Sequence, residues 1–484
     1  MQFRAILLAL GIMILLLAGA MVPCALVDIA HENGDWPVFA ISAFVSAVVG
    51  LSLYVLAQGE DGRTGQREAF LLIVGVWVVL PFQGAVPFIA AGMSVTDAMF
   101  ESVSGLTTTG ATILTGLDNL PEGLLLWRAI LQWIGGIGII VTAIAVLPQL
   151  RVGGMQLFQI ESSDMSGKFL PRMRDIATRM GYAYLIISVT CAACYWLSGM
   201  SPFDAITHSM TTVSAGGFST HDLSFGYFNG TPAIYFAVFF MIVAGLPFSL
   251  LAMAMFQGRV RALWEDPQPR LFAALFLTFA IIIVGLHELQ VIPPTFENRL
   301  HAFRDALFNI ISVMTGTGYA SAPYDTWGEP VVAIFLIATF LGGCAGSAAC
   351  GIKMFRLEIA FKAVIAHSRR MIIRRRVAPI RYDGRNVDED TLQSVMVFVF
   401  LYFATFLAGA VLLGIMGEDA MTAVSAAATT VSNVGPGLGE KIGPSATFQT
   451  MGDPQKWVCT ILMLLGRLEF VPVFAVLTRR FWSA

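Results

Sequence analysis

Charge is what this sequence has least of. Asp, Glu, Lys and Arg make up 13% of its 484 residues, against about 25% in soluble proteins, while 56% are hydrophobic. The length alone would allow three or so soluble domains, but such a fold could not hide so much apolar surface, so the solvent is lipid. The net charge of −3 comes with no separable basic domain, which leaves no basis for nucleic-acid binding. Cysteine is scarce too. Cys24, Cys191, Cys194, Cys344, Cys350 and Cys459 all sit in apolar or glycine-rich stretches. Cys191 and Cys194 have metal-like spacing but no second pair and no nearby His, so the six read as small buried hydrophobes. There is no nucleophilic serine motif, no phosphate loop with its lysine, and no arginine ladder of a voltage sensor. His287 and Glu288 stand alone near the end of an apolar run. The sequence therefore does not read as an enzyme or a voltage-gated channel, and it implies no bound cofactor.

Apolar runs are what it has most of. Crossing a ~30 Å hydrocarbon core takes about 20 residues, and ten runs reach that length, near 5–27, 36–57, 69–92, 122–148, 180–199, 232–256, 271–291, 330–352, 392–416 and 456–478. The first is longer than a signal-peptide core and only Arg4 precedes it, so it reads as a retained span. An even number of spans puts both termini on one side. Lys and Arg mark that side as cytoplasmic: Arg4, Arg63, Arg67, Arg151, Lys168, Arg172, Arg174, Arg179, Arg259, Arg261, Arg270, the cluster from Lys353 to Arg385, Arg479 and Arg480. The outer side holds Arg128, Arg299, Arg304, Lys441 and Lys456, and Arg467 lies deep within the last span. Four apolar stretches too short to cross, near 97–109, 204–216, 305–317 and 420–434, all fall outside.

Those four stretches are copies of one another. DAMFESVSGLTTTGA ending at Ala111, DAITHSMTTVSAGGF ending at Phe218, DALFNIISVMTGTGY ending at Tyr319 and TAVSAAATTVSNVGP ending at Pro436 align without gaps. Each has Ser or Thr three residues before one glycine: Thr107/Gly110, Ser214/Gly217, Thr315/Gly318 and Ser432/Gly435. Asp97, Asp204 and Asp305 share a place that Thr422 takes in the fourth copy. The fold expected is an all-α integral membrane protein: four span–pore helix–span repeats in pseudo-fourfold arrangement, plus two leading transmembrane helices. The leading pair occupies 1–60 and the repeats 61–150, 151–260, 261–390 and 391–484, the third carrying a gating segment and a basic cytoplasmic loop.

The unit has a simple physical logic. Ser94, Ser201 (with Pro202 following) and Asp419 look like helix caps, whereas the third copy has Ala302 there. About 12 helical residues, ~18 Å at 1.5 Å each, reach the bilayer middle. The helix ends there with partial negative charge that favours a cation. Beyond it the chain must return as non-helical backbone, which survives at that depth only when buried in protein or lining a polar path. Four glycines allow backbone angles that turn carbonyls toward one axis, where they can replace an ion's water. No ring of carboxylates is needed and none is present. The residues set to hold the ion are Thr108, Thr109, Gly110 and Ala111; Ala215, Gly216, Gly217 and Phe218; Gly316, Thr317, Gly318 and Tyr319; and Asn433, Val434, Gly435 and Pro436. A structural scaffold has no reason to repeat glycine at four equivalent loops.

With these motifs, LQWIGGIG (131–138) and GGCAGSAACGIK (342–353), the chain resembles, end to end, the TrkH/TrkG branch of the Trk/Ktr/HKT potassium transporter superfamily. The resemblance implies a homodimer with one pore per subunit, taking up potassium across the bacterial inner membrane under a cytoplasmic TrkA-type nucleotide-binding ring. In plant relatives a Ser at the first filter glycine goes with sodium preference, so Gly110 favours potassium. Two departures stand out: Cys350, where many relatives carry Gly, and Thr422.

The run 330–366 would extend ~55 Å as one helix, but its centre, 342–351, is almost wholly Gly, Ala, Ser and Cys. Each Gly weakens a helix by about 1 kcal/mol, so a flexible break is expected there. Packing between helices is the other use of small residues; relatives have a gating loop here, which the resemblance assigns to Gly342, Gly343, Gly346, Ser347 and Gly351. Arg467, where relatives also have Arg, is either a positive barrier below the loops or bound to Glu469 or a free carbonyl. The ten positive charges from Lys353 to Arg385 serve either topology alone or docking of the partner ring or anionic lipid. Gated conduction is the leading mechanism, and symport with protons or sodium the alternative. Intramembrane relay groups are few: Glu101, His208 and Glu469.

Overall fold

The computed structural model describes residues 3–59, 65–142, 169–293, 299–372 and 379–483. Arg63, Arg151, Lys168 and Arg374 to Arg376 of the basic set lie outside them, as does the end of the expected span 122–148. Two leading helices, α1 (Phe3–Ala30) and α2 (Trp36–Leu56), form an antiparallel hairpin. A Cβ on Gly11 would lie 2.9 Å from the Gly50 carbonyl oxygen, the close backbone approach that small residues permit between membrane helices.

Four repeats follow. The first comprises α3 (Gln66–Ala90), α4 (Val95–Leu106) and α5 (Glu122–Val141). The second comprises α6 (Phe169–Leu197), α7 (Pro202–Val213), α8 (Ala233–Gly245) and α9 (Phe248–Gln257). After the single turn α10 (Ala262–Glu265), the third has α11 (Pro267–Glu288), α12 (Arg299–Thr315), α13 (Glu329–Phe340) and α14 (Met354–Ile372). The fourth has α15 (Glu389–Ile415), α16 (Ala420–Ser432), α17 (Asp453–Arg467), α18 (Val471–Leu477) and α19 (Arg479–Ser483). Among the described residues the only strands are a two-residue ladder, Arg381–Tyr382 with Arg385–Asn386.

Seven helices, α1, α2, α3, α5, α6, α11 and α15, are each long and apolar enough to cross a membrane. Their outer faces expose Ile41, Phe44, Phe400 and Val411, which in water would be an aggregation surface and in lipid is not. The other three expected spans are broken. The axis turns by 104° between α8 and α9 and by 107° between α17 and α18, and α13 stops at Phe340 with no helix until Met354. Pro247 accounts for the first break, since it holds Leu246 out of the helical region (ψ 157°). Gly342 and Gly343 account for the arrest of α13. The third break contains no proline; there Glu469 and Phe470 both take positive φ, 56° and 59°.

The short helices α4, α7, α12 and α16 are almost wholly buried. Three start at the expected caps: Ser94 Oγ accepts from the Asp97 amide at 3.1 Å, Ser201 Oγ from Asp204 at 3.0 Å and Asp419 Oδ2 from Thr422 at 3.1 Å. Their lengths are 12, 12 and 13 residues. The third, with Ala302 where a cap would stand, begins earlier and runs 17 residues.

Candidate functional site

Each short helix hands over to a loop whose backbone alternates in hand. Thr108 and Gly110 have φ of 51° and 82°, Ala215 and Gly217 53° and 75°, Gly316 and Gly318 74° and 77°, Asn433 and Gly435 52° and 108°. The second member was foreseen from glycine. The first was not, because three of the four carry side chains, at roughly 1–2 kcal/mol each for an L-residue in this region. Each of these three closes its helix as a left-handed cap, with the Thr109, Gly216 and Val434 amides bonding back to the Ser104, Thr211 and Thr429 carbonyls.

The four loops close into a ring. A methyl group on Gly110 would collide with the carbonyl oxygen of Gly216, one on Gly217 with that of Thr317, and one on Gly318 with that of Val434; one on Gly435 would lie 2.7 Å from that of Thr109. Each carbonyl belongs to the residue just before the next loop's glycine. Four equal steps therefore lead back to the start, which is the pseudo-fourfold arrangement read from the repeats. A cavity of about 70 Å³ lies on the face of the ring that the charge pattern of the sequence assigns to the outside, lined by Gly110, Ala111, Gly217, Phe218, Gly318, Gly435 and Pro436 among others. Thr108, Thr109, Ala215, Gly216, Gly316, Thr317, Tyr319 and Val434 are buried within the ring, and Asn433 reaches the inner side.

Side chains assigned other roles from the sequence, or none, brace this ring. Gln132 donates from Nε2 to the Gly216 carbonyl at 2.7 Å and accepts at Oε1 from the Phe218 amide at 3.0 Å. Arg128, counted from sequence as an outer-side topology charge, is 1% exposed. Its Nε donates to Glu101 at 2.8 Å, its Nη1 to the Ser219 carbonyl at 2.8 Å and its Nη2 to Thr112 at 3.2 Å. Its guanidinium also lies 4.1 Å from the centre of the Phe218 ring. Glu101 in turn accepts from Thr112 and from the Ile113 amide. The Tyr319 ring points away from the ring of loops, its hydroxyl donating to the His208 carbonyl at 3.1 Å beside Thr211 and Thr212. Asn433 Nδ2 donates to Thr109 Oγ1 at 2.9 Å, joining the fourth loop to the first. A lone acid and a lone base 27 residues apart were the available signal for the Glu101–Arg128 pair.

His221 lines the outer cavity and contacts the Asp118 and Asp204 carboxylates. Burial opposes its charged form, but the two carboxylates prevail and raise its pKa above the ordinary imidazole value.

On the opposite face of the ring lies the non-helical segment 341–353. Cys344 and Ala348 donate to the carbonyls of Gly245 and Ala244 at 2.9 and 3.2 Å, and Phe248 donates to Gly346 at 3.0 Å. The segment is thus laced into the break between α8 and α9. The Ala345 amide bonds Gln268 Oε1 at 2.7 Å. The break expected from composition is present, and its buried amides find partners in the neighbouring break, as buried amides must. Gly342, Gly343, Gly346 and Ser347 are buried in this packing. Gly351 and Arg467 do reach a second, inner cavity, beside Cys350, Lys353, Arg356 and Glu469.

Cys350 is more than a small hydrophobe. Its Sγ lies 4.0 Å from Thr108 Oγ1 in the first loop and against Arg467 Nη1. Glu469 binds Arg356 at 2.6 Å and Lys353 at 3.7 Å, so the suggested Arg467–Glu469 pair does not form. Two of the ten positive charges read as a cytoplasmic cluster, Lys353 and Arg356, are therefore buried at this cavity.

This arrangement defines a multi-pass helical membrane protein in which four re-entrant loops meet at one constriction. The chain belongs to the TrkH family of cation transport proteins, whose sequence profile matches residues 36–481. Over its full length it is 36% identical to the Trk system potassium uptake protein TrkH of Vibrio parahaemolyticus, with 100% of both chains covered. It is 39% identical to the Trk system potassium uptake protein TrkI of Halomonas elongata, covering 99% of this chain and 97% of that one. The crystal structure of the potassium transporter TrkH from Vibrio parahaemolyticus matches with a TM-score of 0.90 at 34% identity, covering 100% of both chains.

Proposed function

We propose that this chain is the pore-forming subunit of a potassium uptake system. Potassium, as substrate, crosses the bacterial inner membrane through the carbonyl ring of Thr109, Gly216, Thr317 and Val434. The closed ring carries the reading, since oxygens fixed around one axis can replace the water of a desolvated cation. The relatives' names as potassium uptake proteins agree with it. Glu101 is bound to Arg128 rather than free to relay protons, which favours conduction over proton-coupled symport.

Flux is gated by the segment 341–353 with Arg467 as a positive barrier under the ring. The chain works as a homodimer with both termini cytoplasmic and with a TrkA-type nucleotide-binding ring as regulator. Arg369 and Arg381, exposed beside the half-buried Lys362, belong to the docking surface for that ring.

The test is growth of a potassium-uptake-deficient bacterium at low potassium, comparing wild type with Gly110→Ser. Rescue by the wild type and not by the variant is expected. No rescue by either would overturn the function, and equal rescue by both would overturn the filter assignment.

A further inference from the structure

We propose that the inner cavity is a binding site for a small monatomic anion of the chloride class, held between Arg467 and Lys353. Three cationic side chains, Lys353, Arg356 and Arg467, line this cavity against one carboxylate, Glu469, and all four are at most 4% exposed. Three positive charges less one negative leave a surplus of two. Glu469 is already bound to Arg356 at 2.6 Å, with Lys353 at 3.7 Å. Arg467 spends one nitrogen on Cys350, while its Nε and Nη2, and Lys353 Nζ, are buried without a hydrogen-bond partner.

Buried charges left unpaired are costly, and native proteins satisfy or neutralise them. A guanidinium has five N–H donors and an ammonium three, with no acceptor on either, so only an acceptor can satisfy these groups. An anion does so and also cancels part of the surplus. The room available, about 20 Å³, exceeds the 10–15 Å³ or so that one water needs and suits a halide, but not phosphate or an organic acid.

Arg467 ends α17, and Lys353 lies on the segment threaded into the α8–α9 break, so one ion between them ties two of the three broken helices together. It also lies below the carbonyl ring, where a negative charge lowers the barrier that Arg467 presents to a cation. That effect on flux rests on the potassium reading above; the binding does not.

Two measurements on the full-length protein decide the matter. Crystals grown in bromide are expected to show an anomalous-scattering peak within contact distance of both Arg467 and Lys353. A site without such a peak holds only water, and the proposal falls. In vesicles with equal potassium on both faces, tracer potassium exchange is expected to be about tenfold faster in chloride than in gluconate for the wild type, and nearly equal in the two for Lys353→Gln. Equal rates for the wild type would overturn the role in flux. A bromide peak without potassium exchange in either anion would leave the anion site standing and sink the potassium pathway.

Discussion

The outer ring and the inner cavity are both irregular backbone at membrane depth, yet they are finished differently. Around the ring every nitrogen of Arg128 has an acceptor, and Gln132 clamps one loop from both its amide atoms. Beneath it, three helices are broken, Nε and Nη2 of Arg467 lack hydrogen-bond acceptors, and Lys353 has only its 3.7 Å ion pair with Glu469. A satisfied polar network has one best arrangement and is stiff, whereas unmet donors gain by rearranging. The potassium pathway proposed above assigns selection to the first kind of site and switching to the second.

The sharpest way to break the comparison is at Arg128. Arg128→Met would leave Glu101 charged and buried with no cation, a loss of about 3–5 kcal/mol, seen as a collapse of the melting temperature in detergent. Gln132→Leu removes one brace and strands the Gly216 carbonyl and the Phe218 amide, at about 1–3 kcal/mol. Competition between sodium and potassium tracers should then show selectivity falling while flux persists. Arg467→Ala touches only the inner half; it is expected to raise potassium flux through purified protein about tenfold, equivalent to about 1.4 kcal/mol, with selectivity unchanged. Unchanged flux would remove the barrier role. Asp419→Ala strips the cap of α16 for about 1 kcal/mol, and thermal melting would record it.

The smallest effect belongs to His221. Its folded pKa is raised, so its contribution to stability is fully present below the unfolded imidazole value and fades as pH rises through the folded one. The gap in melting temperature between wild type and His221→Gln should therefore be widest near pH 5 and close above neutrality. A gap that widens with pH would show the carboxylate contacts to be unimportant.

The repeats, three of the caps and the left-handed glycine of each loop were legible in the sequence, because those depend on short spacings and on glycine. It did not carry the left-handed Thr108 and Ala215, which close their helices with local bonds such as the Thr109 amide to the Ser104 carbonyl and the Gly216 amide to the Thr211 carbonyl, a place more often taken by Gly or Asn. It also hid the inner charges. Lys353 and Arg356 looked cytoplasmic since their burial depends on Glu469, 116 and 113 residues away in sequence and close only in the fold. The break at Glu469 and Phe470 is flanked by Gly466 and Pro472, but neither residue lies at the two positive-φ positions themselves. Long-range partners decide both.

The ring has a further consequence in its order of assembly. Its last step joins Gly435 to Thr109, and Lys456 Nζ binds Asp97 Oδ1 at 2.7 Å across 359 residues of chain. A polypeptide threaded into the bilayer from its first helix onward therefore holds three quarters of an unfinished circle until α16 and α17 arrive. A chain that stops short of them lacks both the Gly435–Thr109 step and the Lys456–Asp97 bond, and its ring stays open.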